Sequence, residues 1–401
     1  MPTPRAQHKR IAFLMPGGAV VNHDRVVAYL QHDVTKIVDH NINLGDTFVF
    51  EAALRLTDFE QAVYLSSGFK DVGWAKDLLD SCEVAILRGS NYLHPAMEWG
   101  NLPLAIEQSR TPVVAFGIGA QAPRYQDVSV SDSTRRMFEL IADRSQLIGC
   151  RGEFTVDVLA KLGIRNAIPI GCPSLFRLNK RDTTIKWGGP LANNRIGFTL
   201  ARGLGGMYCD DLPRTRQQQL ELLEQLHRNY EVYVLTQNEK AEKIFYYRLY
   251  DRIEEARRQM ATSGWGFDKY PWLEDLYWRR LFFGTSAADY ERMAEFCDVV
   301  LGYRLHGNIM SLSCGKPAIY HTYDSRTREL VDHFSIPSHD VMSDTKFALE
   351  ALLDEPIFDK FNARFAVAYD ITRAFLEANG VAHRMTTAAE QVNPWPSHTS
   401  S

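Results

Sequence analysis

The sequence predicts an α/β protein of two doubly wound domains, each a parallel sheet covered by helices on both faces. Three observations carry this reading. From residue 9 onward, short β-branched runs alternate with amphipathic stretches, the pattern of strands joined by crossover helices. The alternation stops over 177–194, which is polar and rich in Lys, Asn and Gly, and then starts again. A chain of 401 residues also exceeds one ordinary core, which favours two or three domains.

Each element follows from local composition. In the first series the apolar runs 11–15, 63–66, 84–88, 113–118, 147–150 and 167–170 read as strands. Between them, 46–56, 74–81, 97–109, 131–143 and 153–162 carry helical periodicity. The second series opens with strand 196–200, helix 215–228, strand 232–236 and helix 239–261. An aromatic segment follows at 264–283; a helical core segment, a sugar-stacking face, a membrane-surface contact and a subunit contact all remain open for it. Helix 287–296, strand 299–302 and one or two helices over 345–378 complete the pattern. This gives a first domain at 1–185, a second at 190–380, and a loosely ordered tail at 381–401 that is Ser/Thr/Pro-rich after Val392.

Composition narrows the function. With 45% apolar and 11% aromatic residues the chain can fill two cores, and a net charge of -4 supplies no field for nucleic acid. The six cysteines are scattered with no CxxC pair, which suggests neither a zinc site nor disulfides and fits a reducing cytoplasm. No apolar run has the length of a membrane span, and the short run after the basic N-terminus reads as a strand, not a signal peptide. There is no Walker loop, HExxH or Gly-x-Ser-x-Gly, so no metal site is expected, although a divalent cation requirement is left open.

Ligands of open α/β sheets sit at the carboxyl ends of strands, so chemistry is sought at the strand-to-helix junctions. In "GYRLHGNIMSLSCGKPAIY", Arg304 and His306 flank Leu305 where strand 299–302 gives way to a helix. If the backbone stays extended there, Leu305 enters the core while Arg304 and His306 share the other side. A guanidinium beside a helix N-terminus suits a phosphate or carboxylate, and a neighbouring histidine can move a proton. The plainer alternative pairs Arg304 with a structural carboxylate and makes His306 a helix cap. Arg202 follows strand 196–200, and Arg326 lies beyond "IYHTYD"; with Arg304 they make three arginines at strand ends, suited to a small, highly anionic ligand. Thr236 and Gln237 stand on the same expected rim. In the first half, Asn43 and Asp46 flank Gly45 ahead of a helix, as acceptor contacts or a plain cap, and Arg88 ends strand 84–88.

These segments together resemble the polysaccharide pyruvyl transferase family. The likeness runs from "NINLGD" (41–46) through "PVVAFGIGAQAP" and "CRGEFTVDVLAKLGI" to "RLHG" and "GKPAIYHTYDSR". It implies two Rossmann-like domains arranged as in GT-B glycosyltransferases, and a cytoplasmic enzyme at or near the inner membrane face. It also implies transfer of a pyruvyl group from phosphoenolpyruvate to a glycan or lipid-linked saccharide of a surface polysaccharide or exopolysaccharide, with no further cofactor. His306 and Arg304 would then be catalytic. Arg202, Arg304, Leu305, His306, Arg326, Thr236 and Gln237 would hold the donor, and Asn43, Asp46 and Arg88 the acceptor. A nucleotide-sugar glycosyltransferase and a non-catalytic glycan-binding protein are the alternatives.

Overall fold

The structure, a computed structural model, describes residues 7–30, 33–40, 42–206 and 209–388. Asn41 of the first motif and the Ser/Thr/Pro-rich tail after Val392 lie outside the described residues. The first half runs β1 (His8–Leu14), β2 (Ala19–Asn22), β3 (Arg25–Val27), α1 (Val34–Asp39), α2 (Leu44–Leu56), β4 (Phe59–Leu65), α3 (Val72–Asp80) and β5 (Val84–Arg88). It continues with β6 (Asn91–Leu93), α4 (Leu102–Gln108), β7 (Val113–Ala120), α5 (Asp132–Arg144), β8 (Ile148–Cys150), α6 (Glu153–Lys161) and β9 (Ala167–Pro169). The second half has β10 (Arg195–Thr199), α7 (Leu212–Asn229), β11 (Glu231–Thr236), α8 (Lys240–Tyr246), α9 (Ile253–Thr262), α10 (Pro271–Arg280) and β12 (Leu281–Phe283). After these come α11 (Ala287–Phe296), β13 (Val299–Gly302), α12 (Leu305–Ser313), β14 (Ala318–Thr322), α13 (Ser325–Phe334), β15 (Ser338–Asp340) and α14 (Asp359–Ala378).

Two parallel sheets result. The first has the order β4-β1-β5-β7-β8-β9 with β6 beside β7, and the second β12-β11-β10-β13-β14-β15. Both faces of the first sheet are covered: Ile11 and Phe13 of β1 belong to one buried cluster, Ala12 and Leu14 to another. The cluster holding Phe13 runs on through Phe48 into Phe198, Leu301 and Ile309, so apolar packing joins the two domains. Helix α14 crosses back to the first sheet, where Phe375 stacks on Phe116 and Thr372 donates to the Ile170 carbonyl. The two Rossmann-like domains pack against each other, as expected of a GT-B arrangement.

Several boundaries differ from expectation, each for a local reason. Helix 97–109 begins only at Leu102, because Gly100 takes φ 55° before Pro103. Helix 239–261 is two helices, broken where Arg248 adopts φ 54°. Of 345–378 only α14 is a long helix, starting just beyond Pro356. The aromatic segment packs inward: Trp265, Phe267 and Tyr277 are buried, and the Phe245 ring meets Phe267, Tyr277 and Trp278.

Candidate active site

In each sheet the direction of strand succession reverses between two central strands, β1 and β5 in the first, β10 and β13 in the second. The carboxyl ends at the first reversal carry Met15 and Arg88. Met15 sits at φ 57°, outside the usual range for its type, and its carbonyl accepts from Arg88 Nε. Arg88 Nη1 also reaches Asp46 Oδ1 at 2.9 Å, and Ser90 Oγ donates to the same oxygen at 3.0 Å. Asn43 caps α2 through the Gly45 amide at 3.1 Å and donates to Asp46 Oδ2 at 3.3 Å. The expected acceptor residues Asn43, Asp46 and Arg88 therefore form one hydrogen-bonded group.

His306 comes to meet it from the other domain. A Cβ at Gly45 would collide with His306 Nδ1, so the imidazole of α12 rests directly on the first turn of α2. Its Nε2 lies 3.8 Å from Cys172 Sγ. Burial holds the imidazole pKa well below its ordinary value, and the guanidinium groups of Arg151, Arg326 and Arg88 push in the same direction. The free protein thus holds His306 neutral at pH 7, able to accept a proton. Arg326 donates to Tyr323 Oη at 2.6 Å and lies 3.3 Å from Asp324 Oδ2. Asp324 in turn caps α13 through Thr327 N at 2.8 Å and takes a bond from Gln121 of the first domain at 3.2 Å.

The expectation of three arginines on one rim of the second domain is corrected. Arg202 is buried in a two-pronged ion pair with Glu242, at 2.6 and 2.7 Å, and its remaining terminal nitrogen meets Ser263 Oγ at 3.1 Å. Arg304 pairs with Glu239, donates to Asn238 Oδ1 at 2.7 Å and to the Leu200 carbonyl at 3.0 Å. Both guanidinium groups are thus turned toward carboxylates of their own domain. Arg304 and His306 do not share a side, because the helix starts at Leu305 and an extended geometry does not hold. Leu305 enters the core as expected. Thr236 is taken up by Glu239 at 2.8 Å, whereas the Gln237 amide nitrogen is buried without a partner, near Gly307 of α12.

Arg326 is the one strand-end arginine of that trio that faces His306, and Arg88 and Arg151 join it from the first domain. Arg151 was missed by sequence reasoning; its signal was present in "CRGEF", an arginine at a strand end ahead of a glycine. Beside Tyr323 and Asp324 a cavity of about 310 Å³ opens at the domain seam, also lined by Tyr125, Asp210 and Arg328. A larger cavity of about 700 Å³ lies at the opposite, amino ends of β13 and β14, along the linker. Among the described residues no cluster of His, Cys, Asp or Glu is placed to hold a metal ion, and no helix is long and apolar enough to cross a membrane.

The family model for polysaccharide pyruvyl transferase matches residues 25–325, a span that includes Asn43, Asp46, Arg88, Arg151, Arg304 and His306. The chain belongs to this family. No curated protein sequence matches it significantly. Among solved structures, the chain is similar to MnaA from S. aureus with UDP, at 10% identity, TM-score 0.44, and coverage of 92% of this chain and 97% of that one. UDP-GlcNAc 2-epimerase from Neisseria meningitidis bound to UDP-GlcNAc gives 10%, 0.44, 92% and 100%. Trehalose-6-phosphate synthase OtsA gives 11%, 0.46, 94% and 100%. At these scores the likeness is loose, and nothing about the substrate of this chain follows from it.

Proposed function

We propose that this chain transfers the pyruvyl group of phosphoenolpyruvate to a sugar of a surface polysaccharide or exopolysaccharide precursor, forming a cyclic ketal. The observation that supports it best is the neutral, buried His306 set among Arg88, Arg151 and Arg326 at the domain seam. Phosphoenolpyruvate carries a carboxylate and a phosphate on three carbons, and closely spaced guanidinium forks complement both. The first sugar hydroxyl adds to the central carbon while its proton passes to a base and the methylene carbon takes up a proton to become methyl. A second hydroxyl of the same sugar then forms the other C–O bond as the C–O bond to phosphate breaks, and its proton leaves with the phosphate.

His306 is the proton carrier in this scheme. Burial is the main cause of the low imidazole pKa, and an arriving anion offsets the added share that comes from the guanidinium groups, so the ring becomes a better base once the donor is bound. Arg326 and its neighbours stabilise the charge that leaves with phosphate. Asp46, oriented by Arg88 and Ser90, receives the acceptor hydroxyls. Arg304 acts through position, holding residues 238–239 against the start of α12. The reaction takes place on the cytoplasmic side, with the acceptor free or lipid-linked.

The test is phosphate release from phosphoenolpyruvate with a panel of free and lipid-linked saccharides, the product identified by mass. The wild type should form a ketal adduct, and His306→Asn should lower its rate by roughly 10²–10⁴ with the fold intact. Near-normal turnover by that variant, or stabilisation by UDP and not by phosphoenolpyruvate, contradicts the reading.

A further inference from the structure

Three guanidinium groups surround His306, and only two of them have carboxylates. Arg88 is matched by Asp46 at 2.9 Å, and Arg326 by Asp324 at 3.3 Å. Among the described residues no ion pair reaches Arg151. Its side chain is 1% exposed, Nη1 is spent on the amide oxygen of Asn91, and both Nε and Nη2 are buried with no hydrogen-bond partner. A buried cation with open donors is costly to a fold unless something fills them.

The surroundings are built to deliver this side chain to the seam. The Arg151 backbone is tied to the Ile118 carbonyl at 2.8 Å. The side chain then passes over Gly119, where a Cβ would sit 3.0 Å from Arg151 Cδ and 2.7 Å from Asn91 Oδ1. Its charge is felt by His306, Tyr320 and Glu329, all in the second domain. Glu329 would be the obvious counter-ion, yet both its oxygens turn to Thr155, taking bonds from the amide at 2.6 Å and the hydroxyl at 2.9 Å. The same carboxyl is pushed up to about 7 by burial, which makes it a poor anion for Arg151.

We propose that Arg151 is a ligand-binding residue whose free Nε and Nη2 grip a phosphate or carboxylate beside His306, so that the anion is clasped between Arg151 of the first domain and Arg326 of the second. Taking that anion to be part of phosphoenolpyruvate rests on the function proposed above; the anion site itself does not.

Thermal unfolding of the full chain, with phosphoenolpyruvate and separately with inorganic phosphate, distinguishes the two. Wild-type protein should be stabilised by both, the shift growing with the logarithm of ligand concentration. Arg151→Met should unfold at the same or a higher temperature without ligand, since it removes an uncompensated buried charge, and should weaken both ligands about 100-fold. Arg151→Lys should recover part of the response, and in turnover the loss should fall on KM for the donor more than on kcat. A wild type that answers phosphate but not phosphoenolpyruvate sinks the donor assignment and leaves the anion site standing. Wild-type ligand shifts in both variants overturn the anion site and leave the donor assignment untouched. No response of the wild type to either anion overturns both.

Discussion

At Gly45 a single hydrogen separates the start of α2 from the His306 imidazole, and this contact joins the two domains at the proposed proton carrier. Alanine there would push the ring off its position. Gly45→Ala is therefore expected to cut phosphate release by at least about tenfold while costing roughly 1–3 kcal/mol of stability, as overpacking does; denaturant titration and turnover measured together check it. A variant with full activity would show that the ring has room to move. The arginines teach the complementary lesson. Arg202, Arg304 and Arg326 look alike in the sequence, each just past a strand. Glu239 at the N-cap of α8 and Glu242 in its first turn take up the second and the first, a partnership invisible until the chain folds. Arg151 and Arg88, far away in the chain, take their place beside His306.

Among the elements, α13 ties the halves together through polar contacts. Its Ser325 exchanges hydrogen bonds with Ala122, through the hydroxyl at 2.9 Å and the amide at 3.0 Å, and Glu329 caps the start of α6 in the other domain. Gly152 allows this approach, since a Cβ there would lie 2.5 Å from Glu329 Cγ. With the Glu329 carboxyl raised to about 7 against an unfolded value near 4.5, the folded state binds the extra proton. Its contribution is therefore fully present below pH 4.5 and is lost as pH rises through 7. Glu329→Gln keeps the shape without the titration. Its stability relative to wild type should rise between pH 4.5 and 7, by up to about 1.4 kcal/mol per pH unit, and then level off; melting curves across that range read it, and a flat difference would sink it. Helix and strand succession was legible in the sequence, but breaks at Gly100 and Arg248 were not, because a left-handed residue leaves no trace in periodicity.

The whole molecule buries several neutral histidines, and this sets its response to acid. His306 is held well below its ordinary value, His333 is pushed down to about 4 and His321 to about 3, all by burial. The unfolded chain binds those protons near pH 6.5 and the folded chain does not, so stability should fall steadily as pH drops below 6.5. His321→Phe should shallow that decline, measured as the pH dependence of the denaturant midpoint; an unchanged slope would show that the ring is protonated in the fold. The sequence by itself determined two parallel doubly wound domains and the His306 junction, because strand and helix periodicity and local strand ends are properties of neighbouring residues. Only the tertiary structure decided which charges remain open, because an ion pair forms between side chains that the chain brings together from distant elements, and the residue left without one is known only after every pairing is made.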